Sequence, residues 1–234
     1  MIYYNLCIFL LFLIYSMLGY IIEVTCVSII EKKFTPDRGF LIGPYLPIFG
    51  VGSIIITMNL QKYENDYIVL FVMSAVLCCL LEYLTSLLLE KIFNLRWWDY
   101  SDKSFNLNGR ICLSISVLFG LGGVFIIKII NPIFVKFIHM LPEMFVIILG
   151  TIVVVAFIID FFLTLYIMFR LKSNANKYTS KNTNSAAKAE VRKSLHKHSF
   201  LTTRLLNAFP QSDQRNNKDF ATFKELIYQI RRKT

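Results

Sequence analysis

The chain has 234 residues, 56% of them hydrophobic and 15% aromatic, with a mean hydropathy of +0.56. Apolar content on this scale, gathered in long blocks, excludes a soluble globular domain and marks an integral membrane protein. The formal charge of +10 lies at one end: residues 172–234 hold fourteen Lys/Arg against four Asp/Glu, and the part before them has eleven of each.

Five apolar blocks follow in order, at 3–30, 46–60, 67–93, 111–130 and 144–171. Since about 20 apolar residues span the hydrocarbon core as a helix, the pattern predicts an all-α polytopic bundle of about five transmembrane helices over residues 1–171. The first block lacks a basic leading segment and is too long for a signal-peptide core, so it is expected to stay as a helix. The second is short and follows a Gly/Pro-rich entrance, Gly39-Phe-Leu-Ile-Gly-Pro-Tyr-Leu-Pro-Ile-Phe-Gly50, that cannot run as one uninterrupted helix. Non-helical backbone at membrane depth is tolerated only where protein buries it or it lines a wet cavity. A re-entrant or broken segment before the second span is therefore expected, with a half-helix starting near Pro47 and its free N–H groups turned into the bundle. Arg38 would reinforce that positive end and Tyr45 lies within the same segment; an ordinary interfacial turn is the plainer reading of the same residues.

Three carboxylates stand inside apolar blocks: Glu23, Glu82 and Asp160. A charge at the centre of a membrane helix costs at least about 2.5 kcal/mol, so such groups face a protein interior or a hydrated cavity. Each shares a face with small or polar residues at every fourth position: Tyr15, Gly19 and Glu23; Cys78, Glu82 and Ser86; Ala156, Asp160 and Thr164. At a rise of about 1.5 Å per residue all three fall roughly 10 to 15 Å from the same end of the bundle. The alternative is that they pair with an Arg, a Tyr or a backbone donor merely to fix helix register.

The connection at 96–110 mixes aromatics, both charge signs and amides. Trp97, Trp98 and Tyr100 suit the headgroup layer. That reading leaves Asp99, Asn106, Asn108 and Arg110 unexplained; the Arg fork suits a carboxylate or phosphate, so Arg110 could neutralise a membrane acid or hold an anionic ligand. The candidate polar core is thus Glu23, Arg38, Tyr45, Glu82, Trp98, Asp99, Tyr100, Asn108, Arg110 and Asp160.

Five Cys, odd in number and without CxxC spacing, predict neither a disulfide framework nor a zinc site, and no cofactor is expected. Beyond the bundle, residues 172–199 read as a basic flexible linker and 200–234 as basic amphipathic cytoplasmic helices that bind anionic lipid headgroups. A protein groove is the second reading for that tail, and no nucleic-acid reader motif accompanies its charge. By the positive-inside rule the tail is cytoplasmic and the N-terminus outside; the connections then placed inside carry Lys32, Lys33, Arg38, Lys91, Arg96, Lys103 and Arg110, against Lys62, Lys128 and Lys136 outside.

Three stretches carry a family resemblance: Tyr15-Ser-Met-Leu-Gly-Tyr-Ile-Ile-Glu23; Arg38-Gly-Phe-Leu-Ile-Gly-Pro-Tyr-Leu-Pro-Ile-Phe-Gly50; and Leu81-Glu-Tyr-Leu-Thr-Ser continuing to Trp97-Trp-Asp-Tyr-Ser and Phe105-Asn-Leu-Asn-Gly-Arg-Ile-Cys-Leu113. The chain resembles the ABC-transporter type IV family, also called CmpB-like, over roughly residues 1–170, and Asp160 fits the late aspartate of that family. The resemblance implies a small multi-pass bacterial cell-membrane protein of permease type. Because the sequence contains no GxxxxGK[ST] loop, ATP hydrolysis would come from a separate subunit docked on the 96–110 connection. Three classes of function remain: a transport component binding a small or amphiphilic solute, an intramembrane acid–base enzyme acting on a lipid-like substrate, and a scaffold or sensor recruiting partners through its tail. Without HExxH, GxSxG or a nucleophile–base pair, the enzyme ranks below transport. Five helices make a small bundle for a whole pathway, so a homo-oligomer or larger complex is expected.

Overall fold

The computed structural model describes residues 1–93 and 96–179. The linker and amphipathic tail expected at 172–234 lie, from residue 180 on, outside the described residues. Six α-helices are found among those described: α1 (Ile2–Glu31), α2 (Pro47–Leu60), α3 (Tyr67–Phe93), α4 (Leu113–Phe125), α5 (Asn131–Met140) and α6 (Glu143–Thr179). No strand occurs among them beyond one isolated bridge, Leu107 to Ile111. Four runs are long and apolar enough to cross a membrane, namely α1, α3, the continuous stretch Leu113–Met140 and Glu143–Ser173. The protein is therefore an all-α polytopic bundle. The second apolar block forms the 14-residue α2, about 21 Å long and short of the roughly 30 Å hydrocarbon core.

Polar and apolar residues are distributed as lipid demands. On α3, Val76, Leu80, Leu84 and Leu88 form an exposed stripe at every fourth position, while Ser74, Glu82 and Ser86 are buried on the other face. The helices meet through small residues. Phe49 of α2 lies on Gly19 of α1, and Gly50 fits against Ser16 and the Phe12 carbonyl; on the other side Gly52 faces Cys78 and Leu81 of α3. Gly120 and Gly123 of α4 receive Phe71 and Ser74 of α3. Such positions let backbones approach closely where there is no hydrophobic force to drive helix association.

The breaks have identifiable causes. Residues 32–46 are non-helical and are tied to α1 by the Tyr20 hydroxyl donating to the Pro36 carbonyl (2.7 Å) and by Leu46 N–H donating to the Ser16 carbonyl (2.9 Å). Pro47 then opens α2, where its missing N–H costs nothing. The fourth apolar block does not stop at Ile130: a π-helical turn, Ile126–Ile130, absorbs the approach of Pro132 and the helix continues as α5 to Met140. Asn131 fixes this turn, accepting from the Tyr15 hydroxyl (2.8 Å) and donating to Gln61 Oε1 (3.0 Å).

α1 and α6 run in the same direction. Gly150 lies on Leu6, Phe157 stacks edge-on against Phe9 and Phe12 at 5.5 and 5.4 Å, and Asp160 reaches the 42–45 segment. The far end of α6 meets the far end of α3, with Phe93 and Phe169 rings 5.3 Å apart and Lys172 Nζ donating to the Ile92 carbonyl. The loops 32–46 and 96–112 and the ends of α1, α3 and α6 thus share one end of the bundle. α6 continues past Leu171 to Thr179.

Candidate functional site

Two polar centres form at that end. In the first, Asp160 of α6 accepts from four donors: Ile42 N–H (3.0 Å), Gly43 N–H (2.8 Å), the Tyr45 hydroxyl and the Thr164 hydroxyl (3.1 Å). Backbone that enters the bundle without helical structure has N–H groups to satisfy. Asp160 satisfies two of them, and the Tyr45 ring, 5.6 Å from Phe157, completes the anchor.

The second centre is built by α1, α3 and the 96–112 connection. Glu82 is only 7% exposed; its Oε1 accepts from the Tyr100 hydroxyl at 3.3 Å, and its Oε2 is buried with no hydrogen-bond partner among the described residues. Glu23 of α1 lies near enough to act electrostatically on both Glu82 and Tyr100, and Arg38 near enough to act on Glu23. Burial, with these carboxylates beside it, holds the Tyr100 phenol far above its ordinary range, so it stays a hydrogen-bond donor.

The connection folds on itself to hold Tyr100 in place. Tyr100 N–H donates to the Gly109 carbonyl (2.7 Å), Leu107 N–H to the Ile111 carbonyl (2.9 Å), and Trp98 Nε1 to the Arg110 carbonyl (3.0 Å). Asp99 accepts from the Ser101 N–H and hydroxyl and lies 3.5 Å from Arg96. Gly109 has φ +67°, and a Cβ there would run into Asp99 and Ser101, so the turn requires glycine. Asn108 donates to the Tyr83 hydroxyl at 2.9 Å.

The candidate residues therefore separate into groups. Glu23, Glu82, Tyr100 and Arg38 come together; Asp160 and Tyr45 serve the 42–45 backbone; Trp98, Asp99 and Asn108 shape the connection. Arg110 pairs with an acid of α3, Glu90 rather than Glu82. It lies 2.8 Å from Glu90, donates to Ser86 (3.1 Å) and covers the Tyr83 ring at 5.7 Å. Glu90, which sequence reading passed over, also pairs with Arg96 at 3.1 Å. Its position was signalled: Glu82, Ser86 and Glu90 recur at every fourth residue and so share one face of α3. Among the described residues no group of His, Cys, Asp and Glu has the makings of a metal site.

Residues 10–165 match the family described as "Putative ABC-transporter type IV". The chain belongs to this family. The match takes in α1 to α6 as far as Asp160 and Thr164, so both polar centres fall within the ABC-transporter type IV region. No curated protein and no solved structure matches the chain.

Proposed function

We propose that the protein is the permease-like membrane component of an ABC-type transporter in the cell membrane, and that a small or amphiphilic solute binds at Glu23, Glu82 and Tyr100. The observation that carries this reading is the buried Glu82 Oε2 without a partner. Leaving such a group unpaired costs about 1–3 kcal/mol, and more when it is charged, a cost that a purely structural acid would avoid in the way Asp160 does. Family membership supports the transport class. On this reading the end carrying the two polar centres faces the cytoplasm, which is where the basic residues of the tail and loops belong. The 96–112 connection, self-braced and rich in charge, offers the docking surface for a separate ATPase subunit.

The test uses inside-out vesicles from cells producing the full chain, supplied with ATP and probed in turn with a fluorescent lipophilic cation, a zwitterionic lipid analogue and an anionic dye. At least one probe should move faster than in vesicles lacking the protein, and Glu82→Gln, inserted at equal level, should slow it by about tenfold, the loss of one charge-assisted contact. Equal movement with and without the protein for all three, or equal movement by wild type and Glu82→Gln, would overturn the reading.

A further inference from the structure

In the half of the bundle opposite both polar centres, a groove opens on the seam between α3 and α4. Its volume is about 750 Å³, within the roughly 300–1,000 Å³ of small-molecule sites. Tyr67 and Phe71 of α3 line one side, and Leu121 and Phe125 of α4 the other. Tyr67, Leu121 and Phe125 are exposed, so the groove opens sideways toward lipid. The π-helical turn Ile126–Ile130 brings Lys128 into the same lining, as the single charge in it.

Lys128 stands between two pairs of isoleucines, and its ammonium lies 5.0 Å from the centroid of the Tyr67 ring. Among the described residues no carboxylate lies within ion-pair distance of it. The acids of the adjoining 61–66 turn are engaged locally: Asp66 accepts from Ile68 and Val69 N–H at 3.1 and 3.0 Å, and Glu64 accepts from Gln61 at 3.0 Å. An ammonium without a partner is costly in hydrocarbon, and its apolar stem lets it reach the headgroup layer. Tyr67 marks that layer, since it opens α3 directly after the charged stretch Lys62-Tyr-Glu-Asn-Asp66. Leu121 lies seven residues back from Lys128, roughly 10 Å deeper in the membrane. The groove thus has a cation at headgroup depth and an apolar channel below it.

We infer that this groove binds an anionic phospholipid from the leaflet that holds the first turn of α3, with the phosphate on Lys128 and one acyl chain along Phe71, Leu121 and Phe125. Basic pockets between membrane helices take anionic headgroups in this way. A zwitterionic headgroup brings its own cation to compete with Lys128 for the phosphate, and an anionic one does not. A second copy of the chain, packed by its lipid-facing side, would cover the apolar lining and leave the ammonium buried without an anion. The site shares no residue with the Glu23–Glu82–Tyr100 centre and stands independently of the solute reading.

The full chain is placed in phosphatidylcholine nanodiscs doped with either phosphatidylglycerol or phosphatidylcholine that carries the same photoactivatable diazirine in one acyl chain, and labelled peptides are located by mass spectrometry. The phosphatidylglycerol probe should label residues 67–71 and 121–129 about fivefold more than the phosphatidylcholine probe, the worth of one basic residue near a headgroup. Lys128→Gln should abolish that preference, and Lys128→Arg and Lys136→Gln should keep it. In Lys128→Gln the phosphatidylcholine probe should still label the groove at the wild-type level, which a collapsed groove would not give. Equal labelling by the two probes in the wild-type chain, or a preference that persists in Lys128→Gln, would overturn the inference. So would the absence of label from both segments, the result expected if a second copy covers the groove.

Discussion

Two acids inside the bundle, the buried Glu82 and the half-buried Asp160, have opposite surroundings, and substitution should separate them. Asp160 is satisfied by accepting two backbone N–H groups and two hydroxyls. Hydrogen bonds to a charged group are worth about 1.5–3 kcal/mol each, so Asp160→Ala, which strands at least the Ile42 and Gly43 N–H groups, should destabilise the protein by roughly 3 kcal/mol or more. Asp160→Asn keeps one acceptor oxygen and should lose about half as much. Unfolding midpoints in mild detergent would measure both, and trypsin should cut after Arg38 faster in the Ala variant as the segment detaches. Glu82→Gln should behave differently. The amide fills the same space and its oxygen still accepts from Tyr100, so the unfolding midpoint should stay close to wild type while ligand-dependent activity falls. A marked loss of stability in Glu82→Gln would instead make Glu82 a structural acid like Asp160. Sequence reading singled out both residues because each interrupts an apolar run. It could not divide their roles, since two of the four donors on Asp160 are main-chain groups of residues 42 and 43, which leave no trace in composition.

At the scale of helices, the close approach of α1 and α2 depends on one glycine more than on its neighbour. A Cβ on Gly50 would meet the Ser16 hydroxyl and come within 2.6 Å of the Phe12 carbonyl oxygen, a backbone atom that cannot swing aside. On Gly52 the nearest atoms are Leu81 Cδ2 at 3.5 Å and Cys78 Sγ at 3.6 Å, ordinary van der Waals contact. Gly50→Ala should therefore cost about 1–3 kcal/mol through overpacking, and Gly52→Ala should fall within about 0.5 kcal/mol of wild type, as read from detergent unfolding of the two variants. If both proved neutral, α1 and α2 would not be packed as closely as described. Most elements were legible as apolar blocks bounded by polar turns, and Pro47 correctly announced the start of α2. The run from Ile126 to Met140 was harder to read, because Asn131-Pro132 has the character of a terminator. A wider helical turn, with Asn131 bonded to Tyr15 and Gln61, lets the helix pass through it. Tertiary partners decided that element, and no local pattern names them.

For the molecule as a whole, the direction of the helices fixes more than their number. α2 is too short to count as a span by length, yet together with the non-helical 32–46 segment it returns the chain across the bundle: Leu46 is bonded to Ser16, about halfway along α1, and Gln61 reaches Asn131 in the half where α3 starts. As α1 and α6 run in parallel, the first residues of α1 and the last of α6 lie at opposite ends. With the basic tail drawn to the cytoplasmic side, we expect residue 1 and the 61–66 turn outside and the 96–112 connection inside. Alkaline phosphatase, active only outside, inserted at position 64 should give activity; inserted at position 104 it should give none, and green fluorescent protein joined after residue 234 should fluoresce. Phosphatase activity at both 64 and 104 would mean that α3 does not cross. Activity at 104 alone would invert the molecule, moving the Glu23–Glu82–Tyr100 centre to the outer face and away from any ATPase, and the assignment of the 96–112 connection as a docking surface would fall with it. The topology experiment thus bears on function as well as architecture, because a single orientation must satisfy the tail charge, the loop charges and the location of the Glu23–Glu82–Tyr100 centre together.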